Sequence, residues 1–165
     1  MCLNGEQIIC ADAVILPPLK DALRRTGSYF ASPEEIVRLT AILANLSDNT
    51  VNPSVIGQSA QALADLAGIV IPEATRLIIL EIEPDNASHP LLLPFLCPVL
   101  VLISVNDYEQ AADKIRLLST KVHLFPLTSL FPTPAPCRHI IILRFMPPTM
   151  HRFHFYPMHF RIFHN

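Results

Sequence analysis

At 165 residues, 51% of them apolar and 16% charged, the chain is able to bury one sizeable core, which excludes general disorder. The net charge of −2 conceals an asymmetry: all 14 acidic residues lie at or before Asp113, whereas the segment after Leu118 carries five basic residues and no acidic one. Four cysteines (Cys2, Cys10, Cys97 and Cys137) form no CxxC pair, which argues against a disulfide framework or a structural zinc site.

Residues Gln7 to Leu16 (QIICADAVIL) are apolar and β-branched enough for a strand, closed by Pro17-Pro18. Asp12 interrupts the run and no basic segment precedes it, so it does not read as a secretory signal. Leu19 to Tyr29 then places Leu19, Ala22 and Leu23 at helical spacing. Ser32-Pro33-Glu34-Glu35 is a helix start: Ser32 caps, Pro33 occupies the first turn and Glu35 completes a capping box. The helix it opens carries Ile36, Leu39, Ile42 and Leu43 on one face, and Asn45 to Asn52 reads as a polar loop. Ser59 to Ala67 is a further helix, stopped at Gly68.

Two continuous apolar runs, Arg76 to Ile82 and Val99 to Val105, have strand length and the composition of a sheet covered on both faces. A turn-rich loop, Glu83 to Pro90, separates them. The apolar stretch Leu91 to Val105 contains Pro94 and Pro98 and falls short of the ~18–20 residues that a spanning helix needs. Asn106-Asp107 caps a helix through Leu118, with Ala111, Ile115 and Leu118 turned inward. The grammar is that of an α/β domain, a layered sheet with helices on both faces, over residues 1–118. Residues 119–165 break it. They form an irregular, Pro-, His- and Phe-rich basic tail without glycine, in which only Arg138 to Phe145 reads as a strand.

The segment from Val51 to Leu118 resembles the CoA-acylating branch of the aldehyde dehydrogenases, through an ordered series of words. These are Asn52-Pro53-Ser54-Val55-Ile56-Gly57-Gln58-Ser59-Ala60, Leu66-Ala67-Gly68-Ile69 and Ile71-Pro72-Glu73-Ala74-Thr75-Arg76, followed by Ser88-His89-Pro90-Leu91, Cys97-Pro98-Val99-Leu100 and Asp107-Tyr108-Glu109-Gln110-Ala111. The resemblance implies a partial catalytic domain of an NAD-dependent oxidoreductase acting on a small aldehyde. It also implies that Cys10, in Ile8-Ile9-Cys10-Ala11, is the nucleophile. In that chemistry a thiolate adds to the aldehyde, hydride leaves to NAD, and the thioester passes to coenzyme A. Sulfur suits each step, being nucleophilic at modest pKa and leaving a thioester still open to transfer. NAD and coenzyme A are thus implied by resemblance alone. No Gly-rich phosphate-binding turn is present, and Pro94 stands where the family has a glutamate. The expectation is a fragment that is inactive by itself, cytoplasmic, and related to proteins that can form oligomers.

The residues leave other readings open. Cys10 also fits a buried small apolar residue of a strand, which makes the alternative a non-catalytic remnant or partner-binding α/β module. Cys97 reads as a core residue and His89 as a loop hydrogen-bonding group. Ser59, Asp65 and His89 form no recognisable triad. His151, His154 and His159 with Met150 and Met158 have soft-metal chemistry, but no second cluster completes a site, and no metal is expected. Arg144, Arg152 and Arg161 among aromatics could mimic a nucleic-acid or membrane-surface tail, and neither partner is expected.

Overall fold

The computed structural model describes residues 8–83, 89–93, 95–107, 110, 111 and 113, together with the backbone of 127–130. The first strand, β1, is Ile8–Asp12. Helix α1 follows at Leu16–Arg25, so Pro17 and Pro18 open the helix instead of merely closing the strand. First-turn N–H groups have no intrahelical acceptor, so proline forfeits nothing there. The helix ends at Arg25, and β2 (Ser28–Phe30) occupies the stretch in which the sequence reading continues it to Tyr29. Gly27 makes the turn between them with φ +84°.

Helix α2 (Pro33–Leu43) begins as its sequence dictates. The Ser32 side chain accepts from the Glu35 N–H while the Glu35 carboxylate accepts from the Ser32 N–H. The polar stretch after it is a small antiparallel hairpin, β3 (Ala44–Asn45) paired with β4 (Thr50–Val51). Helix α3 (Ala60–Ala67) is capped by Ser59 and stopped by Gly68 in the left-handed region at φ 64°. Two long strands, β5 (Leu77–Glu81) and β6 (Val99–Val105), fall within the two apolar runs. After β6 the Asp107 carboxylate accepts from the Gln110 N–H at 2.7 Å, and residues 110, 111 and 113 are helical. Ile115 and Leu118 lie outside the described residues, as does Arg138 to Phe145.

A final strand, β7 (Leu127–Leu130), comes from the segment in which the sequence reading expects only irregular chain there. It completes a five-stranded sheet in the order β2-β5-β6-β1-β7. All four pairings in that sheet are parallel. The sheet therefore draws on both sides of residue 118.

Strand alternation divides the core in two. On one face, Cys10, Ile78, Leu80, Val99, Val101, Ile103 and Val105 pack with Leu39 and Leu43 of α2, Leu63 and Ala64 of α3, and Ala111. On the other, Ala11, Ile79, Leu100 and Leu102 pack with Leu16, Leu19 and Leu23 of α1. The β1–β2 connection passes over β6 and β5 with α1 on the second face, while the β2–β5 connection returns with α2 and α3 on the first. A parallel sheet buried on both faces is the architecture that non-alternating apolar strands require. Among the described residues no helix is long and apolar enough to cross a membrane.

Candidate active site

Cys10 sits at the centre of β1, opposite Ile103 of β6 on one side and Ser129 of β7 on the other. Its relative exposure is 0%, and it belongs to the core cluster facing α2 and α3. As placed, the thiol is enclosed, and an electrophile in solution has no path to it. Strand alternation explains the burial: Ile8 and Cys10 share the face that the two helices cover.

Two residues on, β1 ends at Asp12, a buried acidic side chain at 8% exposure. Its Oδ1 accepts from the Val14 N–H at 2.8 Å and its carbonyl from the Ile15 N–H at 3.0 Å. The carboxylate thereby shapes the turn that launches α1, a local role that Asp performs wherever a chain must reverse.

Cys97 lies at the opposite end of the sheet, before Pro98 and the amino end of β6. It is partly buried against the core. Burial pushes its thiol from 9.0 up to about 12, with the Val99 N–H pulling weakly the other way. At neutral pH it is a thiol, not a nucleophilic thiolate. The preceding Leu96 holds φ 51°, and its carbonyl accepts from the Gly57 N–H at 3.0 Å, which ties the α3 approach to this end of the sheet.

His89 caps a single turn at Pro90–Leu92, its Nδ1 accepting from the Leu91 N–H at 3.2 Å. Ser59 Oγ accepts from the Ala62 N–H at 3.2 Å as the cap of α3, and Asp65 is exposed on that helix. These contacts give Ser59 and His89 capping roles and bring no triad together. Pro94, Cys2, Cys137 and the His151, His154 and His159 group lie outside the described residues. Among the described residues no cluster of His, Cys, Asp and Glu could hold a metal ion.

The structure also shows a small cleft that the sequence reading does not single out. It measures about 170 Å³ and is lined by Glu83, Ile103, Ser104, Asn106 and Gln110. It opens at the carboxyl ends of β5 and β6, where ligands of open parallel sheets commonly sit. Its polar lining arises because both strands turn polar as they leave the sheet, at Glu83 and at Ser104 and Asn106. Cys10 is not among its walls.

Comparison with known proteins gives the sheet a context. No family model matches the chain. It is 31% identical over 111 residues to the succinate-semialdehyde dehydrogenase (acetylating) of Clostridium kluyveri, a match covering 67% of this chain and 24% of that protein. It is 28% identical over 114 residues to the aldehyde-alcohol dehydrogenase of Clostridium acetobutylicum, covering 69% of this chain and 13% of the relative. The crystal structure of an acetylating aldehyde dehydrogenase from Geobacillus thermoglucosidasius superposes with a TM-score of 0.66 at 26% identity, over 71% of this chain and 25% of the other. A Rhodopseudomonas palustris propionaldehyde dehydrogenase, solved with bound CoA and an acylated cysteine, shares the fold at 23% identity with a TM-score of 0.58, over 70% of this chain and 25% of the other. The chain thus spans about an eighth to a quarter of the length of its curated relatives. Homologues and structural neighbours alike are acylating aldehyde dehydrogenases, and over about 70% of its length this chain is similar to one part of them.

Proposed function

We propose that the chain is a catalytic-domain portion of an NAD-dependent, CoA-acylating oxidoreductase of small aldehydes, in a cytoplasmic setting, and that by itself it does not turn over. The observation that supports the family reading is the 31% match over 111 residues to a protein named for acetylating semialdehyde oxidation. Two features of the described residues support the inactivity. The cleft at the carboxyl ends of β5 and β6, about 170 Å³, is smaller than the roughly 300–1,000 Å³ of ordinary ligand pockets. No glycine-rich turn lines it to cradle a pyrophosphate. These residues do not fit a dinucleotide, so no hydride step is assigned to them.

Within this proposal Cys10 is the group that would carry the acyl chain as a thioester. Its full enclosure in the core means that the described fold holds the thiol in reserve, not poised for attack. That same burial supports the second reading, a non-catalytic α/β module, for the chain alone.

The test combines two measurements on the purified chain. With acetaldehyde, NAD and coenzyme A, no absorbance at 340 nm is expected; NADH formation would overturn the claim of inactivity. Cysteine-resolved alkylation at neutral pH should find Cys10 slower than a model thiol. A Cys10 rate above that of the model thiol would reject the module reading in favour of an activated nucleophile.

A further inference from the structure

Parallel pairing sets Cys10 of β1 directly opposite Ile103 of β6. Neighbouring strands run about 4.8 Å apart, and both residues belong to the core cluster on the α2 and α3 face. Their side chains therefore stand side by side in the layer that the two helices cover, and each residue is 0% exposed. Ile103 has a second neighbour. It lines the cleft of about 170 Å³ at the carboxyl ends of β5 and β6, as the apolar member of a wall otherwise made of Glu83, Ser104, Asn106 and Gln110. One residue thus borders both the enclosed thiol and the cleft.

We propose that Ile103 is the partition between Cys10 and this cleft, and that the cleft is the approach by which a small, uncharged electrophile reaches the thiol once the partition is shortened. The lining defines what can enter. Ser104, Asn106 and Gln110 offer hydrogen bonds to a carbonyl or hydroxyl oxygen, and the Glu83 carboxylate disfavours an anion. Gln110 is held at the cleft by accepting from the Asn106 N–H at 2.6 Å. The proposal rests on the reading of Cys10 given above only for what the thiol does once reached. The partition itself rests on register, burial and the cleft lining.

Ile103→Ala removes the side chain beyond Cβ, and Val101→Ala supplies the control. Val101 lies on the same strand and in the same cluster, but it pairs with Ile8 and is not part of the cleft lining. Both variants and the unaltered chain are treated with iodoacetamide at neutral pH, and each cysteine is followed separately by peptide mass mapping. Ile103→Ala should speed Cys10 alkylation by roughly tenfold or more, because the reaction no longer waits for the fold to open. Val101→Ala should change it by less than about threefold, and Cys97, at the other end of β6, should keep its rate in both. Equal acceleration in the two variants, or a joint rise at Cys97, would overturn the partition by showing general loosening. So would an unchanged Cys10 rate in Ile103→Ala. The milder Ile103→Val should lie between the unaltered chain and Ile103→Ala. It decides the matter if the alanine variant does not fold, and no rise at Cys10 would then count against the partition.

Charge identifies the route. Iodoacetate brings a carboxylate past Glu83, whereas iodoacetamide is neutral. In Ile103→Ala the preference of Cys10 for iodoacetamide should exceed that of a model thiol by about twofold, and adding Glu83→Gln should remove the excess. A preference equal to the model thiol's would overturn the cleft as the approach. A last arm separates the approach from the function. Ile103→Ala is incubated with S-ethyl thioacetate, a thioester without the nucleotide part of coenzyme A, and the Cys10 thiolate would attack its carbonyl. A new carbon–sulfur bond forms to Cys10, the bond to the ethylthio group breaks, and ethanethiol leaves after taking up a proton, with no change of oxidation state. Acetylation of Cys10 supports both claims. Faster alkylation without acetylation keeps the partition and overturns the thioester reading.

Discussion

Glu35 serves more than one donor. Its carboxylate accepts from the Ser32 N–H at 2.7 Å and from the Tyr29 hydroxyl at 2.9 and 3.0 Å. Burial pushes its pKa up. The Ser32 N–H, the Tyr29 hydroxyl, the Ser32 side chain and the charge of Arg38 together outweigh that push, and the carboxyl ends below its ordinary 4.5. A folded pKa below the unfolded one stabilises the fold above the unfolded value, and this contribution disappears as pH falls through the folded value. The stability difference between the wild type and Glu35→Gln should therefore be greatest near pH 7 and shrink below about pH 4. Urea midpoints at both pH values check this, and a pH-independent gap would refute it. Tyr29 shifts the opposite way, raised by burial and by the neighbouring carboxylate, so it remains protonated well into the alkaline range. Ser32→Ala removes the acceptor for the Glu35 N–H, together with the side chain's support of the Glu35 carboxylate, and should lower stability by about 1 kcal/mol, read as a fall in Tm.

At the scale of elements, two glycines are set apart by their surroundings. Gly68 holds φ +64° with open space where a Cβ would stand, so Gly68→Ala should cost about 1 kcal/mol from backbone conformation alone. Gly27 holds φ +84°, and a Cβ there would stand 3.2 Å from the Ala74 carbonyl oxygen, so Gly27→Ala should be the more damaging. Thermal melts of the two variants decide it, and the reverse order would refute the contact argument. The same elements show what sequence can and cannot convey. Helices α2 and α3 were legible because capping is local: Ser32 with Glu35, and Ser59 with Gly68, announce their own ends. Strands β5 and β6 were legible because burial on both faces leaves unbroken apolar runs. Strand β2 was not, since Ser28-Tyr29-Phe30 continues the periodicity of α1 and only pairing with β5 makes it a strand. Strand β7 was obscured for the same reason, its Leu-Thr-Ser-Leu having meaning only beside β1. Of the site, the position of Cys10 in a strand was legible. Its face was not, because alternation fixes which residues go together but not which helices cover them.

For the molecule as a whole, stability should depend on the sheet's two apolar layers. Leu102 is fully buried in the layer against α1, the smaller of the two clusters. Leu102→Ala should cost about 2–5 kcal/mol through lost transfer energy and the cavity left behind. Chemical denaturation measures it, and a loss below about 1 kcal/mol would mean that the α1 side collapses to fill the space. The Lys20–Glu81 ion pair at 2.6 Å links α1 to the end of β5, but its partners are 23% and 41% exposed. Its neutralisation should matter far less than the leucine.

The order β2-β5-β6-β1-β7 has a consequence for how the chain is made. β1 is synthesised first among these strands, yet its pairings with β6 and β7 begin at Val101 and Leu127. Until the ribosome has released residue 105, this apolar segment has no strand to join, and the core residues of α2, α3 and β6 that share its cluster lie well along the chain. Such late, long-range closure is slow and leaves sticky surface waiting. The growing polypeptide should therefore lean on chaperones during synthesis, with α2 and α3 maturing around a vacancy that β1 fills only near the end.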